Sequence, residues 1–153
     1  PGRLYSQVEP FLHEADMHLE PGQREVVAAA IQSNLVTLAD APTYAEVFTA
    51  DVDLKDSPHL AALREPGVTQ VFSLLEEALA QFYDEYLSVE DGRAVVRMVA
   101  GACKEHGIKG RSIYLPLRVA LTGRNEGAEL YYLVAGLGRS RVLARLEAAR
   151  AYL

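Results

Sequence analysis

Cysteine is nearly absent from this chain of 153 residues: Cys103 stands alone, and there is no tryptophan at all. One cysteine can form neither an intrachain disulfide nor a cysteine-cluster metal site, which fits a reducing compartment. Cys103 therefore reads as a small buried apolar residue. No apolar run approaches the roughly 20 residues that span a bilayer, and the N-terminal stretch lacks the charged, apolar and small-residue regions of a secretory signal. The expectation is a soluble, cytoplasmic protein with no membrane partner. Convincing period-2 alternation is missing as well, so sheet is unsupported and an all-α architecture is the economical reading. The chain begins Pro1-Gly2-Arg3 rather than with methionine, which points to a larger parent protein or to processing.

What is present is apolar surface, since 50% of the residues are hydrophobic. That suffices for one substantial core or for two small helical subdomains packed together. The net charge of -6 conceals a division: residues 1–90 carry 16 acids and 4 bases, residues 91–153 carry 5 acids and 11 bases. The sequence accordingly suggests an acidic helical subdomain, 1–90, and a smaller basic one, 91–153. A basic part of this kind suits a polyanion, with the acidic part facing solvent or repelling misdocked nucleic acid; a solvated acidic surface beside helix-stabilising arginines is the plainer alternative.

Helix punctuation is frequent. Ser6 is a candidate cap for a helix carrying Val8, Phe11, Leu12 and Leu19, ended by Pro21-Gly22. Val26, Val27, Ala30 and Ile31 make one stripe of a second helix, from about Gln23 toward Leu35. Thr37 or Asp40 can cap a short third helix with Tyr44, Val47 and Phe48 turned inward. After an exposed connection, 51–56, Ser57-Pro58 reads as a helix start with proline in the first turn. Beyond Pro66-Gly67, Val71, Phe72, Leu75 and Leu79 define another amphipathic helix. Ser88, with Asp91 three residues on, caps a helix holding Val95, Val96, Met98 and Val99, and Gly107 stops it. A final helix, about Arg139 to Leu153, is expected to bury Val142, Leu143, Leu146 and Ala149, with Arg141, Arg145 and Arg150 on other faces.

The catalytic devices that a sequence can advertise are each lacking a part. His13 and His18 are five apart, where a zinc-binding helix face needs four. Asp51, Asp53 and Asp56 lack the glycine and distal glutamate of a calcium loop. Gly136-Leu137-Gly138 has Arg141 where a dinucleotide fingerprint needs its third glycine, and no lysine-serine pair follows, so it reads as a helix-terminating pair. His59 and His106 sit singly beside turns. No catalytic residue, metal ligand or cofactor is therefore assigned. What remains is the basic set that includes Arg93, Arg97, Lys104, Lys109, Arg111, Arg118 and Arg124. Guanidinium groups bind phosphate bidentately and stack on unpaired bases, which suits a looped single-stranded RNA. Arg118 lies in an otherwise apolar run, so it either snorkels from a helix edge or has a defined partner.

The string Leu115-Pro116-Leu117-Arg118-Val119-Ala120-Leu121-Thr122-Gly123-Arg124 resembles a segment near the C-terminus of bacterial-type glutamyl-tRNA synthetases. Gly136-Leu137-Gly138-Arg139 through Glu147 is similar to that family's closing turn and terminal helix, and Asn34 through Asp40 resembles its threonine-leucine helix junction. The resemblance spans most of the chain and is strongest from Lys109 onward. It implies an all-α pair of helical subdomains that cradle the anticodon loop of glutamate tRNA. The catalytic domain of the parent enzyme, with its ATP and magnesium, would lie elsewhere, and a monomer is the family default. Carried over position by position, it implies RNA contacts from Arg118, Arg124, Lys109, Arg111, Asn34, Leu115, Gly127, Ala128 and Leu130. Asn34 and Leu115 depart from the arginine and the polar residue that relatives place there. Those departures and the acidic half also fit a free-standing homologue serving as a helical protein-interaction module.

Overall fold

The computed structural model describes residues 2–32 and 34–153, and those residues form eight α-helices joined by short 3₁₀ turns, with no strand among them. The helices are α1 (Gly2–Glu14), α2 (Arg24–Gln32), α3 (Ala41–Thr49), α4 (Val68–Leu79), α5 (Val89–Glu105), α6 (Arg111–Thr122), α7 (Leu130–Leu137) and α8 (Arg139–Ala149). Pro1, with which the chain begins, and Ser33, across which the expected second helix continues, lie outside the described residues. No helix among those described is long and apolar enough to cross a membrane.

Local chemistry explains several boundaries. The Asp91 amide donates to the Ser88 hydroxyl at 3.1 Å, the cap anticipated for α5, and Gly107, at φ 75°, ends that helix. Thr37 and Asp40 cap in sequence: Asp40 accepts from the Thr37 amide at 3.0 Å and then stands at the start of α3. Other boundaries differ from expectation. Ser6 lies inside α1 rather than at its cap. Asp16, at φ 60°, ends that helix before Pro21 is reached, so Leu19 is buried from a loop. Ser57-Pro58 forms a turn, and its short 3₁₀ helix starts only at Leu60. The Ser57 hydroxyl instead donates to the Gly123 carbonyl at 2.6 Å, so the residue serves the tertiary structure.

The packing runs across the charge boundary of the sequence. Helix α4, from the acidic stretch, packs on α5, α6 and α8, while α7, from the basic stretch, packs back on α2 and α3. Buried residues from both stretches join in one core cluster that includes Phe48, Phe72, Leu117, Leu133 and Leu146. Helix α7 is the hub: all six residues 130 and 133–137 are buried, which an eight-residue helix reaches only when neighbours surround it. Gly136 sits inside it, not at its end, because a Cβ there would come within 2.7 Å of the Phe48 ring. Only Gly138, at φ 85°, terminates the helix. Gln23, also buried, donates to the Gly136 carbonyl at 2.8 Å and so satisfies its own burial while fixing α7 against the 3₁₀ turn that precedes α2. Cys103 is buried, and that burial pushes its thiol above the ordinary range, as expected of an inert core cysteine.

Candidate functional site

Arg111, Leu115, Arg118 and Thr122 follow a four, three, four spacing, so one face of α6 presents them together while Ile113, Leu117 and Leu121 enter the core. Pro116 stands inside this helix without a backbone N–H, so the Ser112 carbonyl lacks the usual donor four residues on. Gly123 closes the helix at φ 74°, a conformation that favours glycine. From there the loop 123–129 folds back over the α6 face. The Arg118 guanidinium donates to the Ala128 carbonyl at 2.5 Å, and the Thr122 hydroxyl accepts from the Arg124 amide at 3.0 Å. Arg118 thus has the defined partner that its apolar setting called for, and it remains half-exposed beside it.

Two clefts flank this loop. The larger, about 560 Å³, is walled by Asn34, Tyr44 and Val47 on one side and by Thr122, Arg124, Glu126, Gly127 and Ala128 on the other. Four of the sequence-assigned residues, Asn34, Arg124, Gly127 and Ala128, therefore meet there from two distant segments. The second cleft, about 410 Å³, brings Arg111 and Leu115 against His59, Glu65 and Asn125. Lys109 is exposed at the start of α6 and lines neither, and Leu130, 4% exposed, belongs to the core and offers no side-chain surface. Arg124 also borders a third, acidic recess with Glu46, Asp51, Asp53 and Asp56, so it stands on a ridge between opposite environments. Among the described residues no group of histidine, cysteine and acids has the arrangement of a metal site.

Sequence reasoning missed two residues here. Tyr44 was expected to point inward, but Ala41, Ala45 and Phe48 form the buried stripe of α3, and Tyr44 is 40% exposed at the rim of the larger cleft. Arg145 was expected on an outer face and is instead 8% exposed. Its guanidinium donates to the carbonyls of Val47 at 2.9 Å, Leu121 at 2.8 Å and Ala50 at 2.6 Å. Burial, then the neighbouring Arg141, lowers its pKa to about 10, which leaves it charged at neutral pH. The signal was present: 142, 145, 146 and 149 make the three, four, seven stripe of α8, whereas Leu143, expected inside, is 37% exposed. Arg141 is drawn inward too, bonding the Phe48 carbonyl, and Arg150 pairs with Glu76. By contrast, Lys109, Arg111 and Arg124 have no acidic partner among the described residues. Arg93, exposed on α5, lies 4.7 Å from the centre of the Tyr131 ring, and a hydrogen bond with Tyr131 raises its pKa further.

Over residues 3–150 the chain matches the family described as anticodon binding domain. It is 37% identical over 149 residues to glutamate–tRNA ligase 1 of Rubrobacter xylanophilus, a match that covers 97% of this chain and 32% of that protein. The glutamate–tRNA ligase of Natranaerobius thermophilus is 33% identical over 151 residues, covering 94% of this chain and 30% of that one. The chain spans about a third of the length of these curated relatives. Among solved structures, a glutamate tRNA ligase from Elizabethkingia meningosepticum in complex with its amino acid shares the fold, with a TM-score of 0.77 at 16% identity. That likeness covers 97% of this chain and 28% of the other.

Proposed function

The chain belongs to the anticodon-binding domain family, and from that premise we propose that it binds the anticodon loop of glutamate tRNA as part of a glutamate–tRNA ligase. The observation that carries the reading is the larger cleft, where Asn34 and Tyr44 face the loop of Arg124, Gly127 and Ala128. An unstacked base needs a flat apolar surface and edge-on hydrogen-bonding groups. Tyr44 supplies the first and the Asn34 amide, both donor and acceptor, the second. Arg118 keeps N–H groups free beyond the one given to Ala128, and Arg111, Lys109 and Arg124 supply phosphate contacts along the same face.

The chemistry of glutamate activation, with its ATP and magnesium, belongs to the catalytic domain of the parent enzyme; this region needs no cofactor to bind RNA. The reading further takes the protein to be monomeric and cytoplasmic. With a net charge of -6, the isolated domain binds weakly and with strong salt dependence. The alternative of a free-standing protein-interaction module is not favoured, since the relatives matched over nearly the whole chain are glutamate–tRNA ligases.

The test is a titration against a glutamate tRNA anticodon stem-loop and a scrambled-loop control at two salt concentrations. Preferential binding of the cognate loop, weakening with salt, supports the proposal; equal binding to both loops, or none, overturns it. A glutamine tRNA stem-loop in parallel reads whether both tRNAs are accepted.

A further inference from the structure

One side of the larger cleft takes Tyr44 from the middle and Val47 from the last turn of α3, beside Ile31 of α2 and Asn34. The other takes Thr122 from the end of α6 and the loop after it, so the C-terminal ends of two helices that do not follow one another in sequence border it. A helix C-terminus carries carbonyls with no intrahelical donor and the negative end of the helix dipole. Two such ends placed side by side repel and leave buried acceptors unsatisfied. Arg145 answers both problems with one side chain: its guanidinium takes Val47 and Ala50 from the end of α3 and Leu121 from the end of α6. It has no carboxylate within ion-pair distance among the described residues; Asp51 attracts it from further off, and the two helix ends are its direct partners. A planar guanidinium fixes the relative placement of its acceptors in a way that a lysine ammonium cannot.

We infer that Arg145 is a positioning residue for the RNA cleft, holding the end of α3 and the end of α6 at the separation at which Tyr44 and the 123–128 loop can grip one base between them. The inference rests on the anticodon reading of that cleft, but the arrangement it describes exists without RNA. Arg145 never touches the ligand in this scheme. It acts through the backbone of Val47, which lines one wall, and of Leu121, which precedes Thr122 on the other.

The recess of about 220 Å³ that Arg145 lines together with Asp51 and Arg141 offers a small cation a route to the space that a shorter side chain would leave. The experiment compares Arg145→Gln and Arg145→Ala with the natural chain, using circular dichroism at 10 °C to show which are folded. Because the chain has no tryptophan, Tyr44→Trp added to each background gives a single emission signal from the cleft wall. Loss of Arg145 is expected to shift that emission to the red and, in the chains that keep Tyr44, to lower the preference for the cognate stem-loop on the order of 10-fold. Millimolar ethylguanidinium is expected to restore both in Arg145→Ala, and ethylammonium to restore neither. Folded variants with unchanged emission and undiminished loop preference would overturn the inference. So would loss of the fold in both variants that ethylguanidinium does not reverse, since Arg145 would then serve stability alone. If the natural chain itself shows no loop preference, the anticodon reading fails, and the emission shift with its rescue still decides whether Arg145 sets the wall geometry.

Discussion

The arginines of α8 and those of α6 with its following loop come from one basic stretch of sequence, yet they do opposite work. Arg139, Arg141 and Arg145 turn inward onto backbone carbonyls, of Leu79, of Phe48, and of Val47, Leu121 and Ala50. Arg111 and Arg124 face solvent without acidic partners, and Arg118 divides its guanidinium between the Ala128 carbonyl and the open surface. A positive C-terminal third is therefore not a count of RNA contacts. Part of that charge balances the ends of α3, α4 and α6, where unsatisfied carbonyls gather, and only the remainder is available to a phosphate backbone.

Breaking the inward set gives the largest effect. Arg145→Met leaves three carbonyls without their donor and is expected to lower stability by about 3 kcal/mol, part of the loss being offset because no charge is then buried. Urea unfolding measures it, and an unchanged midpoint would erase the distinction between the two sets. Next comes Gly136→Ala, which thrusts a methyl group against the Phe48 ring and should cost about 2 kcal/mol. A smaller loss in thermal melts would mean that the end of α3 is held by its arginines and not by packing on α7.

On the outward side, Arg118→Ala is expected to weaken cognate stem-loop binding by about 1 to 3 kcal/mol, with a stability change smaller than that of Arg145→Met. Isothermal titration beside a melt separates the two, and unaltered affinity would remove Arg118 from the site. The mildest effect is expected from Arg111→Ala, which should weaken cognate and scrambled loops alike and reduce the salt slope by about 1. A selective loss of cognate binding would instead make Arg111 a base-reading residue.

The all-α class, the α5 cap at Ser88, its stop near Gly107 and the α4 stripe of Val71, Phe72, Leu75 and Leu79 were legible because each depends on residues within a turn or two of one another. The PLR string in α6 was legible through family resemblance, and the fold then put Asn34 into the same cleft as Arg124 and Ala128. Leu130 was not legible as core, because the burial of a first helical residue depends on which neighbours close over it. Tyr44 and Leu143 were misplaced by one helical position each, an error of 100° that apolar character alone does not correct. Arg145 was set aside because charge ordinarily excludes a residue from a buried stripe.

By itself, then, the sequence determined helices, caps and the surplus of bases after residue 90, all properties carried by near neighbours along the chain. Tertiary structure alone decided which arginines face inward and which wall meets which. Those outcomes depend on carbonyls from residues 47, 50 and 121 converging on one guanidinium, and a side chain's hydrogen-bond partners more than twenty residues away leave no periodic trace in the sequence.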